Sequence, residues 1–227
     1  MTEDAAALVA DGITKRYGEV TALAPLALTV PAGQGLALVG HNGSGKSTFL
    51  RLAAGVLEAS AGEVWVHGEP AGSLPARAAV SYLPDEPVLY DDLSVREHGE
   101  FVNRLHGGAG WDDRADDLAE RLGLTDRVDD LPARFSRGLR QKTSILLGLV
   151  RPASLLLVDE PFVGLDARGR AAMLDLVDQA RTGGATVVLA THDPEFVERV
   201  ERCVALRDGE VIHDGTASVA DVLRLVS

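Results

Sequence analysis

Only three of the 22 basic residues in this chain are lysines, Lys15, Lys46 and Lys142. One of them closes the run Gly40-His41-Asn42-Gly43-Ser44-Gly45-Lys46-Ser47-Thr48. That run has the form G-x-x-x-x-G-K-[ST], follows the apolar stretch Gly35 to Val39 and opens a helical pattern, which is the context in which it cradles phosphate. Glycine lets the backbone wrap an anion while amide hydrogens and a helix N-terminus point at it. Asn42, Gly43, Ser44, Gly45 and Thr48 would form the cradle, Lys46 would reach the β and γ phosphates, and the Ser47 hydroxyl would bind Mg²⁺. His41 is assigned no chemistry.

A second chemical run is Leu155-Leu156-Leu157-Val158-Asp159-Glu160-Pro161. It reads as a buried strand that ends in two carboxylates at the edge where parallel sheets bind ligands. Asp159 suits a direct or indirect hold on Mg²⁺, and Glu160 suits orienting or deprotonating an attacking water. Alone, the pair would rather read as a helix cap after a strand, and the neighbouring phosphate loop reverses that preference. Together the two runs specify a P-loop ATPase or GTPase, with a nucleotide kinase still open. No Asn-Lys-x-Asp guanine motif surrounds any of the three lysines, which disfavours GTP-specific recognition.

Phe135-Ser136-Arg137-Gly138-Leu139-Arg140-Gln141-Lys142 resembles the signature of ATP-binding cassette (ABC) ATPases, usually Leu-Ser-Gly-Gly-Gln-Arg-Gln-Arg. Ser136, Gly138, Arg140 and Gln141 match; Phe135, Arg137, Leu139 and Lys142 depart. Gly164-Leu165-Asp166 resembles the family's D-loop, Thr191-His192-Asp193 its switch histidine, and Tyr17 its adenine-stacking aromatic. The resemblance runs in the family's order from Tyr17 to Gly215. It implies that Ser136, Gly138 and Asp166 join the nucleotide site and that His192 contacts the γ phosphate and the water. Read alone, Tyr17 could be a core aromatic, His192 a helix cap and Ser136 an ordinary N-cap. Where the family places a switch glutamine, this chain has Asp85 in Pro84-Asp85-Glu86-Pro87. Either Asp85 supplies an oxygen ligand to Mg²⁺ or the contact is lost, and the preference of Mg²⁺ for carboxylate oxygen favours the first.

The elements that must position these groups alternate between short apolar runs and helical patterns, as in an α/β fold around a mostly parallel sheet. Strands are expected at Leu8 to Ile13, Leu26 to Val30, Gly35 to Val39, Glu63 to His67, Val80 to Leu83, Leu155 to Val158, Thr186 to Ala190, Cys203 to Arg207 and Glu210 to His213. The first two should pair antiparallel. Helices are expected at Lys46 to Leu57, Val95 to Leu105, Trp111 to Leu122, Leu139 to Leu149, Ala167 to Ala180, Pro194 to Arg202 and Val219 to Leu225. The result is a P-loop NTPase core with an N-terminal antiparallel β subdomain and an inserted α-helical subdomain. A single domain spans 1–227, with the core at 1–84 and 150–227 and the helical insertion at 85–149, which Gly107 to Gly110 should break in two.

The 227 residues suffice for a core without disulfides, and the lone Cys203 reads as a small buried hydrophobe. A net charge of −12 disfavours nucleic acid and anionic membrane surfaces as partners. The start, with Glu3 and Asp4, does not read as an export signal. The apolar stretch Ile145 to Val158 is broken by Arg151 and Pro152, too short to span a bilayer, so no direct membrane insertion is expected. The resemblance implies a homodimer, or a pair with a related cassette, that sandwiches two ATP molecules. It also implies an integral membrane permease subunit, which would hold the cassette on the cytoplasmic face of the cell membrane. Asp85 and Arg137 resemble the exporter-type cassettes, and Leu89, Tyr90 and Leu93 could receive a short helix of the permease. A regulatory cassette that moves no substrate is the alternative. A DNA-repair or translation cassette fits a short acidic chain poorly, and a small-molecule kinase would have no use for the signature or His192.

Overall fold

The computed structural model describes residues 6–106, 111–192 and 194–225. Two sheets organise them. The first joins β1 (Ala6–Tyr17), β2 (Val20–Pro31), β4 (Ala61–Val66) and β5 (Glu69–Pro70) in the order β2-β1-β4-β5, all neighbours antiparallel. The second has the order β10-β9-β3-β8-β7-β6. In it β3 (Gly35–Val39), β6 (Val80–Leu83), β7 (Leu155–Asp159), β8 (Thr186–Ala190) and β9 (Arg202–Arg207) run parallel, and β10 (Glu210–Gly215) returns antiparallel at one edge.

The parallel strands are mostly apolar because successive side chains enter opposite faces and both faces are covered. Ala37, Val39, Leu156, Val158, Val187 and Leu189 face one core, closed by α4 (Trp111–Leu122), α5 (Arg137–Leu149) and α6 (Ala167–Thr182). Leu36, Leu38, Leu155, Leu157, Val188 and Ala190 face the other, closed by α1 (Lys46–Ala53) and by β1 and β2. Cys203 is in the first core, and burial pushes its thiol up to about 11.

Between β6 and β7 the described residues hold α3 (Val95–Leu105), α4, α5 and two short 3-10 turns, and no strand. Ser94 and Glu97 form a reciprocal cap at the start of α3. The glycine break at 107–110 and Asp193 lie outside the described residues.

Several boundaries differ from expectation. β1 and β2 reach twelve residues each, so only Gly18 and Glu19 remain as the turn. The expected α1 stops at Ala53 rather than Leu57, where Gly55 takes φ 68° and its backbone lies against Gly72. The helix expected to 202 ends as α7 (Pro194–Val197). An unexpected α2 (Leu74–Ala79) precedes β6, its amides capped by Ser73 with Pro75 in the first turn. The chain closes with α8 (Val219–Leu225).

Candidate functional site

Loop 40–45 leaves β3 at the C-terminal edge of the parallel sheet and turns directly into α1. A Cβ on Gly40 would stand 2.3 Å from the Leu206 carbonyl oxygen and 2.5 Å from Ser44 Oγ, so only glycine lets the loop close against β9. Gly43 and Gly45 hold φ 84° and 106°. Asn42 and Gly43 are exposed at the rim; Ser47 and Thr48 occupy the first turn of α1. Ser44 is tied by its backbone to His41 and Gly209, while its buried hydroxyl has no hydrogen-bond partner among the described residues.

Lys46 is 6% exposed. Its ammonium donates to the Gly40 carbonyl at 2.7 Å and the His41 carbonyl at 3.3 Å, and stands 3.6 Å from Glu160 Oε1. The other oxygen of Glu160 is 3.0 Å from His192 Nδ1. Three segments, the phosphate loop, the end of β7 and the end of β8, thus meet at one carboxylate. Glu160 has φ 44°, a left-handed conformation rare for a residue with a side chain, and its amide donates to the Ala190 carbonyl at 2.9 Å. That turn aims the carboxylate at Lys46 instead of continuing the strand.

Asp159 is 1% exposed and neither carboxylate oxygen reaches a partner in hydrogen-bonding geometry. Burial holds its carboxyl above the usual carboxylate range; Asp85 and Glu160 add to this, while the nearby Ser47 hydroxyl and Lys46 oppose it. A buried, unsatisfied carboxylate beside a hydroxyl is a hard-oxygen donor set that fits Mg²⁺, which takes few protein ligands and completes its shell with phosphates and water. Asp85 is half-buried close by, 4.0 Å from the Arg137 guanidinium.

Tyr17 is 53% exposed at the end of β1 with Lys15 Nζ 5.2 Å from its ring centroid, so it is a surface aromatic and not a core one. Ser136 is the N-cap of α5, its hydroxyl accepting from the Leu139 amide at 3.3 Å. It is exposed, and faces no part of its own chain's phosphate loop in any hydrogen bond described. Gly138 lies against the D-loop: a Cβ there would be 2.5 Å from the Gly164 carbonyl oxygen. Asp166 caps α6 by accepting from the Gly169 amide at 2.8 Å. Lys46, Ser47, Asp159, Glu160 and His192 are therefore brought together, with Asp85 at their margin. Ser136, Gly138 and Asp166 form a second group on α5 and the loop before α6.

Two residues read from the sequence only as positions of the signature run make contacts it did not foretell. Gln141 Nε2 donates to the Pro161 carbonyl at 3.3 Å, and Lys142 Nζ is 2.9 Å from Asp166 Oδ1.

The protein-family model described as ABC transporter matches residues 23–163. The chain belongs to the ABC transporter family. It is 36% identical over 217 residues to the aliphatic sulfonates import ATP-binding protein SsuB of Albidiferax ferrireducens, covering 94% of this cassette and 75% of that protein. To the macrolide export ATP-binding/permease protein MacB of Bartonella quintana it is 33% identical, across 94% of the cassette and 34% of that longer protein. Among solved structures, the ATP-binding subunit of an ABC transporter superimposes with a TM-score of 0.89 at 29% identity, covering 96% of this cassette and 98% of that chain. A dimeric post-hydrolysis state of the cassette MJ0796 bound to ADP and Pi gives 0.84 at 25% identity, over 92% and 98%. The cassette is an ATP-binding ATPase subunit of a transporter. No described helix is long and apolar enough to cross a membrane.

Proposed function

We propose that this cassette drives export through an integral membrane permease subunit, using ATP-dependent closure of a cassette dimer. The observation that carries the chemical part is the chain Lys46–Glu160–His192, in which one carboxylate lies 3.6 Å from the phosphate-loop ammonium and 3.0 Å from an imidazole. In this reading the loop amides and Lys46 bind the β and γ phosphates, and Tyr17 stacks on adenine. Glu160 takes the proton of the attacking water at one of its oxygens, while His192 orients that carboxylate and reaches the γ phosphate. Ser47, Asp159 and Asp85 hold Mg²⁺, which when bound neutralises charge on the phosphates. Lys46 presently satisfies itself on two loop carbonyls, partners that phosphate oxygens would replace.

Ser136 and Gly138 serve the ATP of the second cassette: exposed N-terminal amides of α5 present the positive end of a helix dipole to a γ phosphate. The permease would dock beside β6 and α3, where Val88, Tyr90, Phe101 and Leu105 are exposed and Leu89 and Leu93 half-buried. Tyr90 stacks on His98 and meets Phe101 edge-on, so the patch is a braced aromatic surface and not a loose loop. Docking there would place the cassette on the cytoplasmic face of the cell membrane. Export as the direction is supported by the paired departures Asp85 and Arg137, which resemble exporter-type cassettes.

The test is flux of labelled substrates in vesicles that contain the cassette with its membrane partner, with ATP outside. ATP-dependent accumulation inside inverted vesicles supports export. Turnover of ATP with no flux of any substrate would favour a cassette that acts on its membrane partner without transport.

A further inference from the structure

At the edge of the parallel sheet opposite loop 40–45, a cleft of about 620 Å³ opens between α4, the ends of α5 and α6, and the segments that lead into β7 and β8. That volume lies within the range of small-molecule sites. Leu118, Leu149, Leu156 and Leu176 give it apolar wall. Its charged lining is Arg114, Arg121, Arg151 and a single carboxylate, Asp117, in a chain whose net charge is −12. Arg114 and Arg121 lie two turns apart on one face of α4, about 10 Å along the axis. Arg121 is 3.8 Å from Asp117 and donates to Gln179 of α6 at 2.7 Å. The other two guanidiniums form no ion pair among the described residues. Arg114 Nε donates to the Leu149 carbonyl at the end of α5 at 2.6 Å, which leaves both terminal nitrogens of its fork without a partner among the described residues. Arg151 turns its terminal nitrogens to the carbonyls of Arg77, Ala78, Val80 and Pro152, groups that accept hydrogen bonds and carry no net charge. Burial pushes its guanidinium below its usual range. A cation drawn out of water with no anion beside it is unfavourable.

We propose that this cleft binds a small organic carboxylate whose apolar body has the size of one or two rings. Arg114 takes the carboxylate: its Nε is already anchored on Leu149, so the fork is held in place, and its two free nitrogens match the two oxygens of the ligand. Arg121 and Arg151 add positive potential, and the leucines receive the body. Loop 40–45 lies at the other edge of the sheet, so occupancy of the cleft does not depend on ATP. The cleft is also the seam between the helical insertion, which contributes α4 and α5, and the core, which contributes α6, β7 and β8. An occupant therefore ties the two together.

The probe is 2-naphthoate, titrated calorimetrically into the full chain with the nucleotide site filled by saturating ADP. Neutral 2-naphthamide is its control, and amide NMR shifts locate it. One equivalent of 2-naphthoate should bind with a Kd below about 1 mM, and 2-naphthamide roughly tenfold more weakly or worse. The largest shifts should fall within 114–121, 148–156 and 179–185. Arg114→Gln removes the fork and should weaken 2-naphthoate about tenfold. Gln179→Trp, at an exposed position of α6 that lines the cleft, should obstruct it and abolish binding with all three arginines in place. Thermal melting checks that each variant is folded, and if Arg114→Gln is not, Gln179→Trp decides. Absence of binding to wild type, equal binding of the neutral amide, shifts confined to 40–48, or wild-type affinity in Gln179→Trp overturns the proposal. Hexaglutamate that binds in the cleft where 2-naphthoate does not would assign it to an acidic peptide and overturn the proposal as well.

Discussion

Asp85 and Arg137 face each other across 4.0 Å within one chain, the first just beyond β6 and the second in the first turn of α5. Each stands where the family's usual pattern has something else, glutamine at the first place and glycine at the second, and the two departures are of opposite charge. A half-exposed pair of this length is worth between nothing and about 1 kcal/mol. It can therefore hold Asp85 in place without blocking exchange to a stronger cation.

If Asp85 is shared between Arg137 and Mg²⁺, removing either partner shifts the Mg²⁺ requirement in opposite senses. Asp85→Asn should raise the Mg²⁺ concentration for half-maximal ATPase activity, and Arg137→Ala should lower it, each by up to about fivefold, the factor that corresponds to roughly 1 kcal/mol. A Mg²⁺ titration of the three proteins checks this. Identical curves would make Asp85 an ordinary loop residue.

Glu160→Gln keeps the size of the side chain and loses the group that accepts a proton. Turnover should fall by about 10²–10⁴-fold, the usual worth of a general base, with ATP affinity preserved. A dimer should then persist in ATP, visible as a shift to higher mass in size-exclusion chromatography. Normal hydrolysis in this variant would place the base elsewhere.

Lys46→Ala removes the cation that the loop carbonyls and Glu160 now share. Calorimetric titration should show ATP binding weakened at least tenfold, and turnover should be lost, since the phosphates keep the loop amides alone.

Completion of each site by a second chain is testable by mixing lesions. Gly138 is a poor position for one, because any side chain there collides with this chain's own Gly164 carbonyl. Ser136→Asp is better: aspartate caps a helix as well as serine, while its charge would repel the partner's γ phosphate. Lys46→Ala and Ser136→Asp homodimers should both be inactive, and their heterodimer should regain part of the activity at its one intact site. No recovery in heterodimers confirmed by native mass spectrometry would argue against composition in trans.

One contribution to stability has a defined pH dependence. Arg202 grips Asp214 through Nε to Oδ1 at 2.7 Å and Nη2 to Oδ2 at 2.8 Å, tying β9 to β10, and this holds the carboxyl below its usual range. A lowered folded pKa stabilises above the ordinary carboxylate value and is lost as pH falls through the folded one. Asp214→Asn should cost about 1 kcal/mol at neutral pH, discounted for partial exposure, or roughly 2–4 °C in melting temperature for a chain of this size. The difference from wild type should begin to shrink as pH falls through the usual carboxylate range, about 3.9, and disappear only below the folded-state value, which lies lower.

What the sequence made legible was what is contiguous. The 40–48 loop and the Leu155–Glu160 strand each place chemistry and context within ten residues, so the first could be read from its spacing and the second from its company with the first. The alternating-face logic of β3, β7 and β8 showed as unbroken apolar runs. What stayed hidden depends on long-range approach: Lys142 and Asp166 are 24 positions apart, and nothing local announces that they meet. α2 escaped notice because its six residues are too few to display a helical period, and only the Ser73 cap and Pro75 marked it. The early end of α1 follows from the close approach of Gly55 to Gly72, again a distant contact.

Cys203 sits wholly within the core on β9, and its thiol, pushed up to about 11, is almost entirely protonated at neutral pH. Thiolate is the species that reacts with maleimides and nitroxide reagents, so the native chain is chemically silent toward them. A cysteine introduced at Leu74, exposed on α2 and outside the nucleotide site, would carry a probe at a single known place without first stripping the protein of its own sulfhydryl. Spin-label distances between two such cassettes would then report opening and closing directly, in a molecule otherwise unaltered.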